Sequence, residues 1–311
     1  MTESKFLDPK NDVAFKKLFG SEENKDILIH FINDILERKD SNKIQNVTFL
    51  SPIQNPDIAS KKQSIVDVLC EDVNGVQIIV EMQVSPMHGF EKRAQYYVAK
   101  AYSSQLNKGS EETYDKLKGV IFIAISDSII FPEKKEYNSS HAILDIYDCD
   151  LGDFSFTFIE LPKFKKQKGD KLHNMIEEWI HFFKYAGQAT PEDLKKLIGN
   201  NKIISTAYEA LNRFNWNEKE LRAYEQSEKS SRDHLATMDY QYEKGKEEGI
   251  EKGIRKGIEK GREEGREQGE KQKANSIAKS LLESGIEINI IAKSTGLTIK
   301  EIEQLQNKTT K

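Results

Sequence analysis

Residues 64–84 read SIVDVLCEDVNGVQIIVEMQV, two runs of β-branched and apolar residues around Asn74-Gly75. The pattern predicts a β-hairpin, and because alternate strand residues point to opposite faces, the loop length decides which side chains lie together. A two-residue Asn-Gly loop would set Asp67 opposite Met82 and Val68 opposite Glu81, leaving both faces mixed. A three-residue loop, Val73-Asn74-Gly75 with Gly75 left-handed, sets Asp67 opposite Glu81. It also gathers Val66, Val68, Cys70, Ile78, Val80, Met82 and Val84 on one apolar face. Burying each of these is worth roughly 1.5–3 kcal/mol, more than turn types differ by, so the second register is expected. Asp67, Glu81 and Gln83 then share the other face.

Two carboxylates opposed on adjacent strands, about 5 Å apart at Cβ, repel unless something positive lies between them. An oxygen-only ligand set points to Mg²⁺ (or Mn²⁺) rather than zinc. The plainer alternative is an acidic pair on a solvated sheet face.

Outward from the hairpin, residues 8–36 show helical spacing, with Val13, Phe15, Leu18 and Phe19 followed by Ile27, Leu28, Phe31, Ile32, Ile35 and Leu36, which predicts two helices broken near Gly20. Strands are expected at Ile44 to Leu50, Ser64 to Glu71 and Val76 to Val84, then a helix from Phe90 to Leu106. The apolar run GVIFIAI, Gly119 to Ile125, reads as a strand buried on both faces, and another strand is expected at Asp153 to Leu161. That order makes an α/β fold, a mixed central sheet flanked by helices. Beyond Leu172 the chain reads as helical, with a core stripe of Met175, Ile176, Trp179, Ile180, Phe182 and Phe183.

Composition changes near Gln241, where Gly245, Gly249, Gly253, Gly257, Gly261, Gly265 and Gly269 recur at intervals of four. Each interior glycine costs a helix about 1 kcal/mol, whereas pairs such as Glu248/Lys252, Glu251/Arg255 and Glu267/Lys271 return about 0.2–0.5 each. An isolated helix should fray. Close packing against another helix and a flexible charged connector both fit. The final segment, with breaks at Gly285 and Thr295-Gly296-Leu297, suits a small helix-turn-helix, though any helical cap would look alike. The division expected is 1–190, a helical connector 191–240, the glycine-repeat helix or linker 241–272, and a helix-turn-helix-like module 273–311.

With 311 residues, 32% of them charged, and a net charge of −4, there is room for an enzyme but no global basic field, so any nucleic-acid surface must be local. Cys70 and Cys149 lie far apart without metal-ligand spacing, the start MTESKFLDPK has no apolar signal segment, and no run is long enough for a membrane span. A cytoplasmic protein with no membrane partner is expected.

The order helix, Asp on one strand, Glu-x-Gln on the next, helix, strand resembles the PD-(D/E)XK nuclease superfamily. DPKNDVAFKKLFG, the strand pair with EMQ, EKRAQYYVAKAYSSQLNKG, residues 114–125 and ELPKF are similar to the Rpn family of recombination-promoting nucleases, over about residues 5–185. The resemblance implies a restriction-endonuclease-like core with an all-helical C-terminal extension. It also implies metal-dependent DNA endonuclease activity with DNA as partner, the C-terminal helices aiding DNA binding or self-association. Asp67, Glu81 and the Met82 carbonyl would be the metal ligands, with Asp12 as an additional acid from the first helix. Asp12 equally suits helix capping. Gln83 stands where the superfamily carries lysine, and a neutral amide can orient water or phosphate but brings no charge. Lys62 or Lys16 is expected to supply it. Arg93 and Lys100, on the helix after the catalytic strand, are the expected DNA contacts, while Tyr97 and Ala101 suit packing on the sheet equally well. The histidines form no ligand pattern. The rival reading is a nuclease-like fold that binds DNA or protein without cutting.

Overall fold

The computed structural model describes residues 5–54, 64–106, 113–144, 150–190, 193 and 201–309. In chain order the elements are α1 (Asp12–Phe19), α2 (Lys25–Ile35), β1 (Val47–Phe49), β2 (Ile53–Gln54), β3 (Ser64–Ile65), β4 (Val68–Asp72), β5 (Gln77–Gln83), α3 (Phe90–Ser103), β6 (Val120–Ser126), β7 (Asn138–Leu144), β8 (Asp150–Glu160), α4 (Met175–Tyr185), α5 (Lys202–Ala210), α6 (Glu218–Glu283), α7 (Ile288–Thr295) and α8 (Ile299–Thr309). A six-stranded mixed sheet has the order β1-β4-β5-β6-β8-β7, and β2 and β3 form a separate two-stranded ladder.

The hairpin adopts the three-residue loop. Cys70 pairs with Ile78 and Val68 with Val80, and Gly75 takes φ +80°. The Asp72 carboxylate accepts from Asn74 N–H (2.8 Å) and Val76 N–H (3.0 Å), holding the turn from inside. The expected apolar face needs correction at its ends. Val68, Cys70, Ile78 and Val80 enter one core with Met82 against it, but the chain bends at Asp67 between β3 and β4, so Val66 packs on the opposite side with Leu69 and Ile79. Val84 is exposed.

Both faces of the sheet are therefore covered. Under one lie α1, α2 and α4, whose Phe19, Phe31 and Trp179 meet at centroid distances of 4.9 and 5.3 Å. The Trp179 indole N–H donates to Asp34 Oδ2 at 2.9 Å, so the polar end of that ring is satisfied within the core. Over the other lies α3, returning the chain from β5 to its parallel neighbour β6 and packing Phe90, Ala94, Val98 and Ala101 on Ile79, Phe122 and Phe158. The β6 run is buried along its whole length, as its unbroken apolar sequence requires.

The chain divides into two compact units, residues 1–233 and 234–311. In the first, residues 5–11 are tied to residues far along the chain: Leu7 N–H donates to the Leu211 carbonyl (3.0 Å), Asp8 N–H to the Tyr224 hydroxyl (3.1 Å), and Asn11 Nδ2 to the Tyr224 carbonyl (3.2 Å). In the second, Ala278, Ile291, Leu297 and Ile302 form a small core. Gly285 and Gly296, at φ +75° and +73°, end two of its helices. Thr298 and Glu301 form a reciprocal capping box at the start of α8. Ile277 and Ile299 are exposed there.

The glycine repeat lies within α6, a continuous helix of 66 residues. Its residues 241–272 are exposed, and a Cβ at any of the seven glycines would meet nothing within 4 Å. Glu248 and Lys252 pair at 3.7 Å, but Lys271 turns to Glu301 Oε1 at 3.0 Å instead of to Glu267.

Candidate active site

The site lies at the C-terminal end of β5, where Glu81 and Gln83 point to the α3 side of the sheet. Asp67 occupies the bend between β3 and β4, directly across from Glu81. Each acid is anchored to the other's strand: Asp67 N–H donates to Glu81 Oε1 at 3.0 Å, and Met82 N–H donates to Asp67 Oδ2 at 2.9 Å. This reciprocal pattern fixes both side chains and leaves Asp67 Oδ1 and Glu81 Oε2 pointing at cations. Lys16 Nζ stands 3.8 Å from the first, and Arg93 Nη2 stands 3.8 Å from the second.

The surface is not a solvated one. Glu81 is 4% exposed and Gln83 8%. Burial, followed by the neighbouring Asp67 charge, pushes the Glu81 carboxyl up to about 8, and burial likewise raises that of Asp67. Two acids held together out of water form a site that gains by receiving positive charge. The acceptor set fits a hard divalent ion, because Mg²⁺ is usually held through one or two carboxylates with several waters kept. Asp67 and Glu81 are the carboxylates available. Among the described residues no group of three or more His, Cys, Asp or Glu forms a larger cluster.

Gln83 is held at both ends of its amide: Nε2 donates to the Ser85 carbonyl, and Oε1 accepts from Arg93 Nη2 at 2.6 Å. The cation beside the expected lysine position is thus Arg93, which reaches down from α3. Its guanidinium lies 4.8 Å from the Phe90 ring centroid and 5.6 Å from that of Tyr97. Its Nε is buried with no hydrogen-bond partner among the described residues.

Lys16 forms its close ion pair with Asp12, at 2.7 Å, and faces Asp67 only at longer range. Lys62 lies outside the described residues. Asp12 is a first-turn residue on the rim and does not cap α1; Asn11 does, accepting from Val13 N–H (2.9 Å) and Ala14 N–H (3.4 Å). Lys100 lies farther along α3, its Nζ 5.9 Å from the ring of the exposed Tyr96. A further pair was not legible: Asp127 N–H donates to the Gln83 carbonyl at 2.9 Å, and its carboxylate receives Lys10 Nζ at 2.7 Å. Residues 117 positions apart carry no local signal of that contact. Arg93 did carry one, since Phe90 three residues before and Tyr97 four after place two rings on its helix face.

Residues 9–241 match the PD-(D/E)XK nuclease family transposases. The chain belongs to that family. Residues 271–307 match the C-terminal helix-turn-helix domain of the Rpn/YhgA-like nuclease family, in agreement with the small core of the second unit. No curated protein and no solved structure matches the chain. The PD-(D/E)XK fold accounts for the mixed sheet and for α3 between two parallel strands. The helix-turn-helix match suggests DNA binding. None of the described helices is long and apolar enough to cross a membrane.

Proposed function

We propose that this PD-(D/E)XK chain is a metal-dependent DNA endonuclease whose phosphodiester breaks feed recombination. The observation that carries this reading is the buried, reciprocally anchored Asp67–Glu81 pair with Lys16 and Arg93 aimed at its two remaining oxygens. Asp67, Glu81 and the Met82 carbonyl would hold Mg²⁺ or Mn²⁺, which when bound would polarise the scissile phosphate and acidify the attacking water. Arg93, packed near the Phe90 and Tyr97 rings, would grip a phosphate oxygen through its terminal nitrogens and supply the charge that Gln83 lacks. Gln83, locked by Arg93 and Ser85, would orient water or phosphate without moving a proton. Lys16 and Lys100, with Lys62 on the approach to β3, would extend the phosphate contact, and Asp12 would keep Lys16 near the rim.

In the division of labour we propose, residues 1–190 cut, 191–240 connect, 273–311 bind DNA, and the glycine-repeat helix of 241–272 pairs with another copy of itself. Its glycines leave open space along the helix, and the exposed Ile250, Ile254 and Ile258 run beside them. A cytoplasmic location belongs to the same reading. The second reading, DNA binding with little or no cleavage, is favoured by Gln83 standing where the superfamily carries lysine.

Supercoiled plasmid incubated with full-length protein and Mg²⁺ or Mn²⁺, against EDTA, separates the two. Nicked and linear DNA only with metal is expected. Plasmid that stays supercoiled with metal yet is retarded by the protein in a gel would replace the first reading with the second.

A further inference from the structure

A cavity of about 430 Å³ opens on the far side of α3 from Arg93, between that helix and strands β7 and β8. We propose that it is a nucleobase pocket, receiving one unstacked base of the strand cut at Asp67 and Glu81. The source of the base rests on the nuclease reading above; the pocket's chemistry does not.

Strand register fixes where the pocket lies. Glu81 pairs with Ala124, and Ala124 with Phe158, so the acid and this ring of the pocket floor share one row and one face. They are two strand spacings apart, about 10 Å. The first turn of α3, with Phe90 on Phe122 and Phe158, stands between them, so the base would come from a nucleotide flanking the scissile phosphate.

The lining is suited to a flat ring. Phe156, Phe158 and Phe131 supply apolar surface, and His141 lies 4.8 Å from Phe131 at an interplanar angle of 31°. Lys134 Nζ, which has only protons to give, is 3.3 Å from His141 Nε2 and makes that nitrogen an acceptor. Burial and the Lys134 charge hold the ring's pKa below its usual value, so His141 is a neutral aromatic wall at physiological pH. A volume of this size suits a small molecule, and an apolar aromatic wall is a surface on which an extruded base stacks.

Polar groups on the wall narrow the choice. Among the described residues no Lys or Arg lines the cavity, and the Lys134 ammonium is turned to His141. The α3 side instead offers acceptors: the Glu91 carboxylate and the Gln95 amide oxygen, the latter oriented by its own Nε2 donating to the Glu91 carbonyl at 3.2 Å. Acceptors beside aromatic rings select a ring that carries donors, so adenine, cytosine or guanine, with exocyclic amines, should be preferred to thymine.

The test uses full-length protein in EDTA and the free fluorescent nucleoside 2-aminopurine deoxyriboside, so cleavage plays no part. Saturable quenching in the millimolar range is expected, displaced by deoxyadenosine and deoxycytidine several-fold better than by thymidine. It should be lost in Ala99→Trp and in Ile143→Trp, two exposed positions on the rim where a larger ring fills the cavity without entering the core. Quenching that does not saturate in the wild-type protein overturns the proposal whatever the variants do. So does quenching that survives either substitution in a protein that melts like wild type, or that an apolar peptide displaces better than deoxyadenosine does. Nucleoside binding without plasmid cleavage would uphold the pocket and overturn the catalytic reading; cleavage without nucleoside binding would do the reverse.

Discussion

Replacing Glu81 with Gln isolates the strain that two buried acids place on the metal-free fold. Gln keeps the length of the side chain and an oxygen for Asp67 N–H, so the bond at 3.0 Å is retained while the charge is removed. The wild-type carboxyl, pushed up to about 8 from its usual 4.5, binds its proton more tightly in the folded protein than in the unfolded one. Its stabilising contribution is therefore complete below the unfolded value and is lost as pH rises through about 8. A shift of this size is worth several kcal/mol, which at about 2–4 °C per kcal/mol corresponds to a fall in Tm on the order of 10 °C. Other groups also titrate in this range. His181, buried with no partner for Nε2 among the described residues and held down to about 4, has stability that is present at neutral pH and lost on acidification. The difference between wild type and Glu81→Gln cancels such groups. Melts in EDTA by circular dichroism should coincide near pH 5 and separate by pH 8, with the variant the more stable. Mg²⁺ at pH 8 should raise the wild type alone. Parallel curves from pH 5 to 8 would refute the reasoning, because Glu81 would then carry no more electrostatic cost folded than unfolded.

Arg93→Gln should lower single-turnover cleavage by about 10²–10³-fold, the usual cost of removing one pre-positioned donor, and should also lower Tm in EDTA above pH 7, because the buried Glu81 and Gln83 lose their cation. Gln83→Lys alone should not speed cleavage, because the new ammonium would sit against the Arg93 guanidinium; Gln83→Lys combined with Arg93→Gln should recover much of what Arg93→Gln loses, read in the same assay. Glu81→Ala should cost the metal-free fold about 1–3 kcal/mol relative to Glu81→Gln, since Asp67 N–H loses its acceptor, and urea midpoints of the two variants check this. Gly253→Ala and Gly257→Ala, where a Cβ meets open space, should each add about 1 kcal/mol to helix stability. If the repeat packs against a second copy, the same pair should weaken self-association in sedimentation equilibrium while helical ellipticity rises.

The hairpin was legible because its two possible registers differ by a whole apolar face, and Gly75 allowed the loop that the better register needs. What alternation could not show was the bend at Asp67, which turns Val66 to the other side and makes room for the acid to reach across to Met82 N–H. Strand β7, NSSHAIL, was missed because it is a sheet edge with mixed exposure and so has no clean two-residue period. The repeat, by contrast, offered local energetics that argue against a lone helix, yet the chain continues as one from Glu218 to Glu283. At the site, the acids and Gln83 could be read from strand order, but not the ties that hold them. Arg93 reaches Gln83 from another element, and Lys10 reaches Asp127 across much of the chain. Such contacts depend on where α3 and the N-terminal segment dock, which no short stretch of sequence encodes.

The most direct measurement is the single-turnover cleavage rate of one DNA duplex by the wild-type protein and by Asp67→Asn, followed side by side across a Mn²⁺ titration from EDTA upward. The amide of the Asp67→Asn variant keeps an oxygen for Met82 N–H and should leave the fold unchanged. The wild-type rate is expected to rise and saturate with metal, while that of Asp67→Asn stays at the EDTA background in a protein with an unaltered melt. Cleavage by the wild type in EDTA, or by Asp67→Asn at the wild-type rate, would mean that phosphodiester hydrolysis does not take place at this pair of acids.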